Sequence, residues 1–422
     1  MWNVVGQTSR SARVLQDPLF DPSANRPTWT SAAGLESCPT NTLWALALGL
    51  LLLAAPSMRA QTPAKEQFDD LAHRAEAVLD SRPEEAARLY KQALAIRPEW
   101  AEGWLYLGGA LYQVGRYAEA TDALRKGLEL APGVGTGWAL LGLSESQLED
   151  QDQALADIRK GEDLGLGTNT AFESAVRVRA AQLLIRSSAF DEALAQLQPL
   201  SKHHDNPPPV EEAMGLCVLA IPDDMAQLSP QRRAVVDLAG KAAWAFASQH
   251  PDEAAAGYRQ LLAQYPNEPG VHYAYGLYLM ETDLTGALAE FQKEVRNNPK
   301  HWPALLVVAS LQIRQGTPEQ AIESLQAALK IVPAKYRWMC HTELGRANLN
   351  ANNLGAAIGE LENAVLRMPS NANVHFLLAE AYRQAGRKAD AERERTEFEK
   401  MKVQQDPLGV PALHPFGYSG KN

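Results

Sequence analysis

Cysteine is scarce in this sequence: only Cys38, Cys217 and Cys340 occur among its 422 residues. No two of them have the short spacing of a zinc-ligand pair or a redox motif, and there is no haem-attachment motif. The sequence therefore predicts no thiol-based metal or redox site. A disulfide between Cys217 and Cys340 stays open as an alternative, although their spacing gives it no support.

Positive charge is also in short supply. Lysine and arginine number 40 against 50 aspartate and glutamate residues, which gives a formal net charge of -10. A nucleic-acid-binding surface needs basic residues to neutralise phosphates. The composition therefore argues against a nucleic-acid partner.

Catalytic signatures are missing as well: the sequence has no nucleophile elbow, zinc-protease helix or phosphate-binding loop. Gly165-Leu166-Gly167 lacks the third glycine and the preceding strand of a dinucleotide site. His203-His204-Asp205 has no third ligand at a useful spacing, and we interpret it as an exposed polar loop. We predict no catalytic residue, no cofactor and no metal site, and we expect that the chain is not an enzyme.

β-branched residues are sparse, whereas alanine and leucine dominate a chain that is 46% hydrophobic. That balance favours helices over sheets. An internal period of 34 residues orders these helices. It relates two copies of one motif, each followed by an alanine: Trp104-x2-Leu107-Gly108 with Ala120, and Trp138-x2-Leu141-Gly142 with Ala154.

Further copies keep all or part of a skeleton of an apolar residue, a small residue, an alanine and a closing proline. They are Ala86-Tyr90-Pro98, Ala254-Tyr258-Pro266, Tyr275-Gly276-Ala287-Pro299, Val308-Ala309-Ala321-Pro333, Leu344-Gly345-Ala357-Pro369 and Leu378-Ala379-Ala391. In order and spacing the skeleton resembles that of the tetratricopeptide repeat family. The resemblance covers about residues 67–403 and implies pairs of antiparallel helices, stacked into an all-α, right-handed superhelical solenoid.

The repeats divide the chain. We predict an N-terminal repeat block at residues 61–202 and a C-terminal block at 235–403. The segment 203–234 breaks the repeat, because it contains three consecutive prolines, and it has room for one short helix. Residues 404–422, rich in proline and glycine, are predicted to be a flexible tail.

Residues 1–60 are predicted to be a leader. The uncharged apolar run at 43–55 is short for a bilayer span but suits the central region of a signal peptide, with cleavage after Ala60. The stretch before it is long for a signal peptide. This leaves open a translation start downstream of Met1, an uncleaved membrane anchor and a buried core helix. We expect export to the periplasm or the exterior of a bacterial-type cell.

The resemblance also implies where a partner binds: in the concave groove lined by the first helix of each pair. The family's groove positions include three arginines from consecutive units, which suit an acidic peptide or a terminal carboxylate. The alternative is that these arginines pair with nearby acids such as Glu343 and Glu380. The predicted partner-binding residues are Tyr112, Phe246, Tyr273, Met280, Arg314, Arg346, Phe376 and Arg383.

Three histidines, His272, His341 and His375, fall on the fourth position of their units. This position usually holds a packing aromatic residue in the family, so we predict a structural role for them. The function predicted from the sequence is a protein-interaction scaffold of the cell envelope, with membrane contact only through residues 43–55 if they are not cleaved. Two alternatives are an accessory or regulatory subunit of an envelope enzyme complex and a self-assembling structural solenoid.

Overall fold

The computed structural model describes residues 57–148, 150–202 and 208–404. In this part of the chain every regular element is helical: there are nineteen α-helices, three short 3-10 helices and no strand. The predicted all-α solenoid of helix pairs is therefore confirmed. The described residues form no helix that is both long and apolar enough to cross a membrane.

The chain divides into two compact units, which meet between Leu183 and Leu184. In the first unit, short turns join consecutive helices into hairpins. Its helices are α1 (Ser57–Val78), α2 (Pro83–Ile96), α3 (Ala101–Gln113), α4 (Tyr117–Leu130), α5 (Gly135–Glu145), α6 (Gln151–Leu164) and most of α7 (Thr170–Arg186).

The second unit continues the same pattern from the end of α7. Its hairpins bring together α10 and α11, α12 and α13, α14 and α15, α16 and α17, and α18 and α19. Its helices are α8 (Phe190–Leu197), α9 (Pro208–Val218), α10 (Pro230–Ala247), α11 (Pro251–Gln264), α12 (Val271–Leu279), α13 (Leu284–Asn297), α14 (Trp302–Arg314), α15 (Pro318–Ile331), α16 (Arg337–Asn350), α17 (Leu354–Arg367), α18 (Ala372–Gln384) and α19 (Lys388–Gln404).

The segment predicted to break the repeats contains a helix of its own. Helix α9 lies within it, and α10 begins at Pro230, before the predicted end of the segment at residue 234. The two helices pack closely, because Gly215 faces the backbone of Val236 and Gly240 faces the backbone of Glu211. The predicted polar loop at residues 203–205 lies outside the described residues.

Small residues set the distance between the two helices of a pair. The alanine that the repeat places in each second helix is fully buried at Ala120, Ala154, Ala254, Ala321 and Ala357. In the first helix, a Cβ on Gly142 would lie 2.5 Å from the Ala154 carbonyl oxygen and 2.8 Å from Ile158 Cγ1. A side chain there would force the helices apart, as the repeat pattern predicts.

Five of the first helices end in a tight left-handed turn. Gly115, Gln249, Gly316, Asn352 and Gly386 occupy the same place in their units and all have positive φ. The next N–H bonds back to a carbonyl five residues earlier, as Thr317 N does to Gln312 O at 2.9 Å. This closure satisfies the last carbonyls of the helix and turns the chain into its partner helix.

The predicted leader and tail lie mostly outside the described residues. This applies to the apolar run at 43–55 and to residues 405–422. Helix α1 begins at Ser57, so the predicted cleavage point after Ala60 falls in its first turn.

Candidate partner-binding groove

The predicted groove residues lie in first helices or at their ends, and they are distributed over both units. Tyr112 lies in the first unit, half-buried, with its ring 5.5 Å from that of Tyr117. Burial raises the pKa of the Tyr112 hydroxyl to about 12. The other seven residues lie in the second unit.

Among those seven, the apolar residues Phe246, Phe376 and Met280 differ in exposure. Phe246 is half-buried, and its ring meets that of Tyr278 edge to face at 5.5 Å. Phe376 is 52% exposed and lies 5.5 Å from the ring of Phe398. Met280 is half-buried at the end of α12. Phe376 therefore offers the most open apolar surface of the three.

The three predicted arginines also differ. Arg314 is exposed at the end of α14. Arg346 lies 3.4 Å from Glu343, and Arg383 Nε donates to Glu380 at 2.7 Å. Hydrogen bonds from Arg383 lower the pKa of the Glu380 carboxyl to about 2. The ion pairs of the alternative interpretation are thus both present.

Two of the predicted residues, Tyr273 and Arg346, meet at a cavity of about 210 Å³. Leu306 and Thr342, which hold the same repeat position as Tyr273 in the next two units, also line it. The carried-over repeat positions therefore identify one wall of a real concavity. That wall consists of α12, α14 and α16.

The opposite wall comes from the turn between α7 and α8, which the sequence did not predict. Ser188 and Ala189 of this turn line the cavity, together with Phe190, Asp191 and Glu192 in the first turn of α8. The turn is held by a bond from the Tyr336 hydroxyl to the Ser187 carbonyl oxygen at 2.7 Å. These two residues are 149 positions apart, so no local pattern signals their contact.

Aromatic residues that the repeat positions do not include complete the cavity. Trp302 and Tyr336 stack with ring centroids 5.4 Å apart, and Trp338 lies on the same wall. Tyr273 is buried, with its ring 4.7 Å from that of His301. Rings from the repeats therefore line the cavity together with carboxyl groups from both α8 and α16.

Two of the carboxyl groups that line the cavity have raised pKa values. Surrounding protein raises the pKa of Asp191 to about 6, and the neighbouring Glu192 adds to the shift. Burial also raises the pKa of Glu343, and Arg346 only partly opposes this. Glu343 is 6% exposed, and its Oε2 has no hydrogen-bond partner among the described residues. A buried carboxylate oxygen without a donor is costly.

The three histidines of the fourth position tie the two helices of their units together. His272 Nδ1 lies 2.6 Å from Glu290 Oε2, His341 Nδ1 lies 2.6 Å from Glu360 Oε2, and His375 Nδ1 lies 2.8 Å from Glu394 Oε2. His375 Nε2 also faces the Pro369 carbonyl at 2.9 Å. Trp104 and Trp138 bond to Pro98 and Pro132 in the same way. The position is structural in each case.

Neither cysteine of the described region is at a reactive site. Cys217 and Cys340 are buried and unpaired, and burial raises the pKa of both thiols. The described residues contain no group of three or more histidine, cysteine, aspartate or glutamate side chains arranged for a metal ion.

Stacked helix hairpins with a lined groove define a helical-repeat solenoid, a class of protein built for binding other chains. Family models described as tetratricopeptide repeat match residues 77–143, 245–300, 282–335 and 342–394. These matches together span half of the chain, and they fall on the helix pairs described above. The chain belongs to the tetratricopeptide repeat family, whose members are interaction scaffolds.

Several solved structures are similar to parts of this chain. MamA 41-end from Desulfovibrio magneticus RS-1 is 20% identical and covers 42% of this chain and 98% of its own, with a TM-score of 0.37. A MamA RS-1 double mutant is 18% identical and covers 42% of this chain and 98% of its own, with a TM-score of 0.38. A further crystal structure of MamA is 18% identical, covers 39% and 95%, and has a TM-score of 0.36. No curated protein matches the chain.

Proposed function

We propose that the chain binds a segment of another protein in the groove of its second unit, at the cavity between α8 and the helices α12, α14 and α16. The observation that carries this proposal is the lining. Tyr273, Leu306 and Thr342 are equivalent residues of three successive repeats, and all three face one cavity. A repeated surface of this kind presents the same position at regular intervals, which suits an elongated ligand.

The size of the cavity favours side chains over a folded element. About 210 Å³ corresponds to roughly seven water molecules at the ~30 Å³ that each occupies in the liquid. Most drug-sized ligands need larger pockets, of about 300–1,000 Å³. The groove would therefore hold a chain whose anchoring side chain enters the cavity.

Site-specific photo-crosslinking in cells tests this proposal. A benzoylphenylalanine at Asn373, which lines the cavity, should give a covalent adduct with one discrete protein. The matched control is the same residue at Glu323, which is exposed on α15. Identical adducts from both positions, or none from Asn373, would contradict a groove-bound partner.

We further propose that the protein acts in the cell envelope after export by a cleaved signal peptide. The apolar run at 43–55 and the polar sequence that follows Ala60 support this. N-terminal sequencing of the protein from fractionated cells should find a start near Gln61 in the envelope fraction. A mature start before Leu43 would instead favour the uncleaved membrane anchor.

A further inference from the structure

Taking the groove-binding function as given, we propose that the cavity receives a cationic side chain, lysine or arginine, from a basic segment of the partner protein. The predicted arginine positions, taken alone, indicate an acidic ligand. The lining of the cavity indicates a ligand of the opposite charge.

The first argument for a cationic ligand is charge complementarity. Three carboxyl groups line the cavity, those of Asp191, Glu192 and Glu343, against one guanidinium group, that of Arg346. Arg346 is already engaged, because it lies 3.4 Å from Glu343 Oε1. An acidic ligand would have to displace that pair and approach two further carboxyl groups. Among the charged residues that line the cavity, only Arg346 would repel a cation, and Glu343 already offsets its charge.

A buried acceptor without a donor carries the second step. Glu343 lines the cavity, and its Oε2 is buried and makes no hydrogen bond among the described residues. An ammonium or guanidinium group can donate several hydrogen bonds and accepts none. Binding it would satisfy Oε2 with a charge-assisted hydrogen bond, the stronger kind.

The aromatic wall carries the third step. Cations are attracted to the faces of tryptophan and tyrosine rings, and tryptophan is the best of these. Trp302, Trp338 and Tyr273 all line the cavity. The same wall would cover the aliphatic stem of a lysine or arginine side chain. Lys335 shows the attraction locally, since its Nζ lies 4.9 Å from the Tyr336 ring centroid.

Fluorescence anisotropy with labelled peptides tests the inference on the full chain. The probes are fluorescein-labelled peptides of repeated Gly-Ser-Arg, Gly-Ser-Lys, Gly-Ser-Glu and Gly-Ser-Ala. At about 0.15 M salt, where long-range attraction is screened, the arginine or lysine peptide should bind and the other two should not. Tighter binding of the glutamate peptide would overturn the inference.

Variants separate the cavity from the general negative charge of the protein. The double change Asp191→Asn and Glu192→Gln should weaken binding of the basic peptide by about tenfold or more, because it removes two of the three carboxyl charges that line the cavity. Glu323→Gln removes an equally exposed acid on α15, outside the cavity, and should leave the affinity unchanged. Equal affinities for the double variant and the control would refute a cation site.

The peptide assay and the crosslinking assay fail independently. A partner that crosslinks at Asn373 through an acidic or uncharged segment would leave the groove function intact and refute the cation site. Folding of each variant is checked by its helical circular dichroism and urea midpoint. If the double variant does not fold, Trp302→Leu provides a second test, because it removes one of the aromatic rings that line the cavity and retains every carboxyl group.

Discussion

Replacing Gly142 with alanine tests whether the repeat's small residues hold the helices of a pair together. Gly142 lies in α5, and the added Cβ would be 2.5 Å from the Ala154 carbonyl oxygen and 2.8 Å from Ile158 Cγ1. Both neighbours belong to α6, and a backbone atom cannot rotate away. Helices α5 and α6 must therefore move apart. Gly109→Ala is the matched control, since its Cβ would make an ordinary 3.6 Å contact with Leu140.

The expected magnitude follows from two effects. Alanine stabilises a helix interior by about 1 kcal/mol relative to glycine, and both variants gain this amount. Overpacking of a tight contact costs about 1–3 kcal/mol, and only Gly142→Ala suffers it. The difference between the two variants therefore isolates the packing cost. We expect Gly109→Ala to be neutral or stabilising and Gly142→Ala to be less stable than it by about 1–3 kcal/mol.

Urea unfolding followed by circular dichroism measures the difference. With an m-value of about 2–3 kcal/mol/M, the two midpoints should differ by several tenths of a molar or more. Because repeat units unfold semi-independently, hydrogen exchange should show the loss of protection in the peptides of α5 and α6. Equal midpoints for the two variants would show that the close approach does not limit the packing of this pair.

Three further predictions concern turns, pairs and protonation. Gln249→Gly should raise the free energy of unfolding by about 1 kcal/mol, because it removes a side chain from a left-handed turn. Gly316→Ala adds a side chain at the equivalent place and should lower the free energy of unfolding by a similar amount. Urea titrations measure both changes. His375→Trp should keep the ring N–H that faces the Pro369 carbonyl but leave Glu394 without its imidazole partner. The free energy of unfolding should therefore fall by about 1–3 kcal/mol. An unchanged melting temperature would argue against the pair. Burial raises the pKa of the Glu145 carboxyl from 4.5 to about 7. The folded state therefore binds the carboxyl proton more tightly than the unfolded state does, and it loses stability as the pH rises through that range. Glu145→Gln should flatten that fall, as measured by urea midpoints across the range.

Local spacing was sufficient to predict the helix pairs. The 34-residue period fixes which residues face each other within a hairpin, because each contact spans fewer residues than one unit. Ala120 and Ala321 are fully buried where the pattern places them. The histidines of the fourth position are likewise structural, although their glutamate partners in the second helices do not belong to the repeat skeleton.

The turn conformation was only partly visible in the sequence. Gly115, Gly316 and Gly386 have positive φ, and glycine at a helix end indicates such a turn. Gln249 and Asn352 adopt the same conformation without being glycine. Their equivalence to the glycines is seen only when the units are aligned by position. The hydrogen bonds that close the helix form at these two positions as well, although neither residue is a glycine.

The charge of the groove could not be obtained from repeat positions alone. The repeats together contribute one wall, and Arg346 is the charged residue that the repeat positions identify at the cavity. The opposing carboxyl groups of Asp191 and Glu192 arrive on α8, held by the contact between Tyr336 and Ser187. The charge of the site therefore depends on which segment packs against the groove. A change confined to α8 should alter the choice of ligand without touching any of the family's groove positions.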